Sequence, residues 1–328
     1  MGSDTPPPRL YEAVGRAAEH LEASDTLVVF ATEAAVLEIT RQQSPHPISH
    51  PKAHIQFHLV KEVVTMGDEP LSVVKQKTNS SLAIGIRLLK RQLLDAFVST
   101  GNTGALIAAA TLSMPRLPGI KRPALIAMLP SEKGPVAVID VGGNVSCKAK
   151  HLIQFALMGA AYQRCSKGIE HPTVGLLNIG VESRKGTEEI QKAYHWLTEQ
   201  RENLNMTFQG NIEGREVLQG VVDVVVTDGF TGNVLLKSIE GTSSFILENI
   251  TKKHGHMEGM RSALQDLHKR FHYAEYPGAI VCGVDGVVVK CHGDSCPTAL
   301  FNGIRGAVKL VRHQLVQKIK QQLSESSI

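Results

Sequence analysis

Short, uninterrupted apolar runs alternate with helix-length segments along most of the chain. TLVVFA (26–31), IQFHLV (55–60), DAFVST (95–100), ALIAML (124–129), VAVIDV (136–141), TVGLLNI (173–179) and VVDVVVTD (221–228) are each bounded by Gly, Pro or polar turn residues. Such runs predict buried strands. Between most of them lie segments with helical patterning, at 80–94, 149–165, 187–200 and 233–250, and a last helix is predicted over 297–322. The strands show no alternation of apolar and polar positions, so both of their faces are expected to be covered. That predicts an α/β protein with a mostly parallel sheet between helical layers. In AIVCGVDGVVVKCHG (279–293) the Asp285-Gly286 step separates two apolar runs, which predicts a C-terminal β-hairpin. No flexible linker interrupts the pattern, and one α/β domain over 1–328 is expected.

The polar positions cluster where the strands end. GNTG follows 95–100, GGNVS follows 136–141, GVESRKG follows 173–179 and GFTGN closes 221–228. In open α/β sheets ligands bind beyond the carboxyl ends of the strands. Two of the turns share D-x-x-V-[ST]-x-G-x-T-G, one running from Asp95 to Gly104 and the other from Asp223 to Gly232. In each, glycines permit close backbone approach, and the helix that follows offers free N–H groups to an anion. Gly101, Asn102, Thr103, Gly104, Asn144, Gly229, Thr231, Gly232 and Asn233 are therefore candidate contacts for an anionic ligand, with Asp140 and Asp228 on the same rim. Lys185, just before a predicted helix, is either the cation that neutralises that ligand or a solvated lysine. The helix dipole disfavours a lysine at that end unless a negative charge is bound there. His292 reads as an acid–base group or as a hydrogen-bonded structural histidine. Cys147 reads as a nucleophile or as a small core residue.

Composition narrows the class. The 328 residues are 42% hydrophobic and 20% charged, as in an ordinary globular protein, and no apolar run approaches a membrane span. The N-terminus MGSDTPPPRL lacks the zones of a secretory signal, so a cytoplasmic protein is expected. The odd count of five cysteines without C-x-x-C argues against a disulfide framework, and the fourteen histidines lack ligand spacing, so no metal is expected. A net charge of +4 without basic–aromatic tracts makes nucleic acid an unexpected partner. The absence of G-x-x-x-x-G-K-[ST], of an early G-x-G-x-x-G and of G-x-S-x-G disfavours P-loop enzymes, ordinary dinucleotide dehydrogenases and serine hydrolases.

STGNTGA, LPGIKRPAL, DVGGNVSCKAKHLIQFALMG, VGLLNIGVESRKG, QGNIEGREVLQGVVDVVVTDGFTGNVLLKSIEG and GVDGVVVKCHG together resemble the PlsX family of phosphate acyltransferases, from about Lys61 to the C-terminal helix. The resemblance implies conversion of acyl-[acyl carrier protein] and orthophosphate to acyl phosphate and free carrier, within fatty acid and phospholipid synthesis. It implies a three-layer α/β/α sandwich like that of the isocitrate and isopropylmalate dehydrogenases and the phosphotransacetylases, a homodimer, and no nucleotide cofactor. On it, Lys185, Asn233 and His292 are expected to be catalytic, and the turn residues above to hold phosphate. Members open with a strand leading into Asp-x-Met-Gly-Gly-Asp, whereas this chain starts with Met1-Gly2-Ser3-Asp4, so the first family strand is expected to be missing. The stretch 251–275 resembles a membrane-contacting region of the family. Its Met257, Met260, Leu264, Leu267 and Phe271 predict an amphipathic helix able to touch an anionic membrane peripherally, at its inner face. The rival readings are a catalytically weakened regulatory protein that binds the carrier or the membrane, and a metal-dependent dehydrogenase of the related fold.

Overall fold

Every predicted apolar run coincides with a strand to within a few residues. The strands are β1 (Thr26–Ala31), β2 (His54–Leu59), β3 (Ala96–Ser99), β4 (Ala124–Leu129), β5 (Val136–Ile139), β6 (Thr173–Asn178), β7 (Thr207–Glu213), β8 (Val224–Val226), β9 (Ala279–Cys282) and β10 (Val287–Lys290). The helices are α1 (Pro7–His20), α2 (Glu33–Arg41), α3 (Pro70–Gln76), α4 (Ser81–Lys90), α5 (Thr103–Ser113), α6 (Ala149–Lys167), α7 (Glu188–Glu199), α8 (Gly214–Gln219), α9 (Gly229–His254), α10 (Pro297–Arg312) and α11 (Leu315–Glu325). The structure, a computed structural model, describes residues 2–41, 51–254, 264, 266–267, 271, 276–291 and 296–325. The arrangement is α/β, mostly parallel, with helices on both sides of the strands. Most of the amphipathic stretch predicted at 251–275, with Met257 and Met260, lies outside the described residues; Leu264 is buried and Leu267 exposed.

Contacts gather the chain into two compact units, residues 1–116 with 276–312, and residues 117–275 with 313–328. In the first, β1 and β2 form a parallel pair, while β10 lies parallel to β3 and antiparallel to β9. The hairpin predicted around Asp285-Gly286 is thus the β9–β10 pair. Helix α4 starts at Ser80, whose hydroxyl accepts from the Ala83 N–H, and it buries Leu82, Ile84, Ile86 and Leu89. Gly85 of that helix lies directly on the Phe97 ring, where a Cβ would fall 2.1 Å from a ring carbon.

The second unit has strand order β4-β5-β8-β6-β7, with β4 antiparallel to β5 and the other pairs parallel. All residues of β4 and β5 are buried. Helix α6 buries every position from Leu152 to Cys165 except Arg164, because strands and helices cover it on more than one side. The register aligns Val226 of β8 with both Ile139 of β5 and Leu176 of β6, so these three strands end at one carboxyl edge.

Three features depart from the sequence reading. Strand β2, predicted to be buried, is exposed at every residue but half-buried Ile55, because it pairs only with β1 among the described residues. Strand β7, TFQGNIE, escaped the apolar-run pattern because it pairs only with β6 and keeps polar residues on its exposed positions. The last helix is two helices: Gln314 adopts φ 57°, a left-handed conformation that ends α10 and begins a new direction for α11. His313 Nδ1, 2.7 Å from the Cys165 carbonyl oxygen, holds the start of α11 to the end of α6.

Candidate active site

The candidate site lies at the carboxyl edge of β5, β8 and β6, where Asp140 organises the β5 turn. Its carboxylate is fully buried, with Oδ1 accepting from the N–H groups of Leu125 (2.9 Å), Gly142 (3.2 Å) and Gly143 (2.9 Å). Oδ2 accepts from Asn144 Nδ2 at 2.8 Å, and Asn144 Nδ2 also donates to the Pro123 carbonyl at 2.8 Å. Burial pushes the Asp140 carboxyl above the usual aspartate range, and these four donors pull against that shift. Asp140 and Asn144 thereby shape the GGN turn from within.

Helix α9 is packed against the same turn. Its Gly229 N–H donates to the Asn144 carbonyl at 2.7 Å, and Asn233 Nδ2 donates to the Val141 carbonyl at 3.0 Å. A Cβ on Gly232 would fall 1.9 Å from the Asp140 carbonyl oxygen, and one on Gly229 would fall 2.7 Å from that of Asn144. Both glycines therefore let the helix start approach the β5 turn. Asp228 caps the helix, accepting the Thr231 N–H on Oδ1 at 2.8 Å and the Thr231 hydroxyl on Oδ2 at 3.1 Å.

At the end of β6, buried Asn178 closes the GVESRKG loop by donating to the Lys185 carbonyl at 3.0 Å, and Asn211 Nδ2 donates to that of Glu182 at 2.9 Å. The backbone of Lys185 is therefore held in place. Its half-exposed side chain runs along Gly180, where a Cβ would meet Lys185 Cγ at 3.2 Å. Among the described residues, the Lys185 ammonium group has no hydrogen bond or ion pair. A cavity of about 20 Å³, lined by Cys147, Thr187, Thr227 and Asp228 among others, marks where the β5 and β8 turns meet the start of α7.

The GNTG turn belongs to the first unit. Asn102 caps α5 by accepting the Ala105 N–H at 2.9 Å, and its Nδ2 donates to the carbonyls of Thr65 (3.2 Å), Met66 (3.1 Å) and Asp68 (3.1 Å). Its amide is fully engaged in tying the 65–68 turn to the end of β3. The Gly101 N–H donates to Ser99 Oγ at 3.2 Å, and Thr103 is exposed at the first turn of α5. A Cβ on Gly104 would fall 2.6 Å from Pro70 Cγ, so a larger side chain there would collide with α3. Gly104→Val is accordingly expected to lower unfolding free energy by about 1–3 kcal/mol, as overpacking does, read from urea denaturation. His292 lies outside the described residues.

Comparison with known proteins bears on the same framework. The family described as "Fatty acid synthesis protein" matches residues 1–318. A phosphate acyltransferase of Chlamydia abortus is 40% identical over 324 residues, 99% of this chain and 97% of that protein. This chain belongs to that family. A phosphate acyltransferase of Thermosynechococcus vestitus is likewise 40% identical, over 98% of this chain and 92% of its own. Among solved structures, the EutD phosphotransacetylase of Staphylococcus aureus aligns with a TM-score of 0.57 at 16% identity, over 93% of this chain and 92% of its own, a likeness of fold.

Within a phosphate acyltransferase framework Cys147 is a poor nucleophile. Burial first, then the charges of Asp140 and Asp228, push its thiol up to about 12, so it carries its proton at neutral pH. Cys147→Ala is expected to keep wild-type turnover within about twofold, a difference of roughly 0.4 kcal/mol in barrier. Iodoacetamide at pH 8 is expected to leave Cys147 of the folded protein unlabelled, as peptide mapping would show. Arg122, which the sequence reading passed over within LPGIKRPAL, lies close enough to lower the Cys147 and His151 values by its charge. Arg122 is thus a second cation near this turn, and only its place in LPGIKRPAL marked it in the sequence.

Proposed function

We propose that this protein is a phosphate acyltransferase that transfers the acyl group of an acyl-[acyl carrier protein] thioester to orthophosphate. A phosphate oxygen attacks the thioester carbonyl and forms the new C–O bond. The tetrahedral oxyanion collapses, the C–S bond breaks, and the carrier thiolate takes up the proton that phosphate releases. No redox change occurs and no covalent enzyme intermediate is required, so positioning and preorganised charge can supply the acceleration.

The observation that carries this reading is the Lys185 ammonium, unengaged on a loop whose backbone is pinned by Asn178, at the edge shared by three strand ends. Lys185 is assigned to neutralise phosphate or the developing oxyanion. Asn233 and the Thr231 hydroxyl at the start of α9 are assigned to orient the reactants. Membership of a family whose relatives are phosphate acyltransferases supports the reaction class. The reading includes homodimeric assembly and delivery of product at an anionic membrane surface, both implied by the resemblance.

The test is direct. Purified protein mixed with palmitoyl-[acyl carrier protein] and phosphate is expected to release carrier thiol and form acid-labile acyl phosphate in equal amounts. Thiol release that is independent of phosphate, with no acyl phosphate, would make the protein a thioesterase instead.

A further inference from the structure

Strand β7 carries a side chain that packing alone does not account for. Asn211 is 5% exposed and stands opposite Leu176 of β6 in the ladder. Its Nδ2 donates to the Glu182 carbonyl at 2.9 Å. A carbonyl can only accept, so this contact decides which way round the amide sits: the NH₂ faces the loop and Oδ1 faces away. There Oδ1 is sealed from solvent and has no hydrogen-bond partner among the described residues. An amide satisfied at one end only costs stability, because water supplies the missing bond in the unfolded chain. A leucine has the same branched shape and would leave nothing unpaired.

Asn178, at the end of β6, provides the contrast. Its Nδ2 donates to the Lys185 carbonyl at 3.0 Å and its Oδ1 accepts the Ile179 N–H at 2.8 Å, so both ends of its amide are used. Gln191 of α7 holds the same loop through the carbonyls of Arg184 and Gly186. Asn211 reaches the loop from the neighbouring strand and takes the point those two leave, on the side that precedes Lys185. The Glu182 carbonyl accepts twice, from Asn211 Nδ2 and from the Lys185 N–H at 3.0 Å. The turn from Glu182 to Lys185 is therefore held at its first carbonyl by Asn211 and at its last by Asn178. Residues 181–184 are exposed, so their own side chains give the turn little to pack against. Its conformation depends on these buried amides.

We propose that Asn211 is a positioning residue for Lys185: by holding the Glu182 carbonyl it fixes the turn that aims the Lys185 ammonium at its substrate, an inference that rests on the acyltransfer reading given above. Asn211 touches no reacting atom and acts only through the backbone between Glu182 and Lys185. Its orphaned oxygen is what that placement costs. A displacement of a reacting group by about 1 Å slows a reaction on the order of a hundredfold. Asn211→Leu removes the donor together with the orphaned acceptor, so activity is expected to fall while stability holds or rises. The Glu182 carbonyl keeps the Lys185 N–H as a donor in that variant, so the loop loses its grip on β7 without leaving that acceptor bare.

The test is a double-mutant cycle on the full chain: wild type, Asn211→Leu, Lys185→Ala and the double variant. Phosphate-dependent release of thiol from palmitoyl-[acyl carrier protein] is followed with enzyme in excess, so that slow variants remain measurable. Asn211→Leu is expected to slow release roughly ten- to a hundred-fold, with Tm at or above that of wild type. Hydrogen exchange at the Lys185 amide should quicken about tenfold or more, while the amides of β6 stay within about twofold. In the Lys185→Ala background the same leucine is expected to change the rate by less than about twofold, because there is no ammonium left to aim. Equal fractional losses in the two backgrounds overturn the proposal, since Asn211 would then act on the folded fraction or on another group. A wild-type rate in Asn211→Leu, or unchanged exchange at the Lys185 amide, overturns it as well. Should leucine unfold the protein, the same cycle on Asn211→Ala decides by the same criteria. Failure of the underlying reading shows without any Asn211 variant: phosphate-independent thiol release by the wild type, or a wild-type rate in Lys185→Ala, removes that reading and this proposal with it.

Discussion

Lys185→Ala is expected to lower kcat/KM for acyl-carrier thioester and phosphate by roughly a hundred- to a thousand-fold, the range seen when one preorganised donor to an oxyanion is removed. The fold should not register the change. What holds the loop is the Lys185 carbonyl, which accepts from Asn178, together with Gln191 Nε2 donating to the carbonyls of Arg184 and Gly186. The side chain beyond Cβ makes no polar contact among the described residues, so the alanine variant is expected to unfold at the wild-type temperature. Lys185→Arg should recover little activity, because a planar guanidinium fork does not present a compact charge at the same point. Wild-type turnover in the alanine variant, measured as carrier thiol released, would remove Lys185 from the chemistry.

Asp140→Ala is expected to have the largest effect on stability. It would leave the N–H groups of Leu125, Gly142 and Gly143 and the Asn144 amide without their acceptor inside a buried turn. A loss of about 3–5 kcal/mol follows from breaking such a buried charged network, measurable by urea unfolding. Activity should fall with it, since the same turn supports the start of α9. Asp140→Asn keeps the shape and one acceptor oxygen but sets its own NH₂ against the Asn144 amide, and should lose about 1–3 kcal/mol.

The pair also tests the electrostatics of the site. Because the folded Asp140 carboxyl binds its proton more tightly than the ordinary aspartate value of 3.8, its contribution to stability is fully present below that value. It is lost as pH rises through the raised folded value. The stability of wild type relative to Asp140→Asn should therefore decline as pH climbs above 3.8 and then level off. A relative stability that rises with pH over that window would mean that the four donors outweigh burial.

Much of this molecule is legible in one dimension, for a reason that particular elements make plain. Runs such as VAVIDV and ALIAML must be strands buried on both faces, and an Asp-Gly step between apolar runs must turn, because local sterics and apolar burial act over a few residues. The polar turns at 140–144, 178–186 and 228–233 were visible for the same reason, since strand ends and glycines advertise themselves. β7 was not, because an edge strand with one neighbour need not be apolar. Nor was the break at Gln314, whose left-handed backbone depends on how α11 meets the end of α6.

What the sequence by itself determined is therefore the α/β class, the apolar strands, the hairpin and the positions of the polar turns at the strand ends. Only the tertiary structure decided which groups in those turns are already engaged by the protein. Asn102 binds carbonyls 34 to 37 residues away, Asn144 binds Pro123, and Gly232 gives its space to Asp140, while Lys185 keeps its ammonium for something else. Hydrogen-bond partners and close contacts distant along the chain become neighbours only when strands pair in register, and that pairing decides which polar groups of each turn are spent on the protein itself.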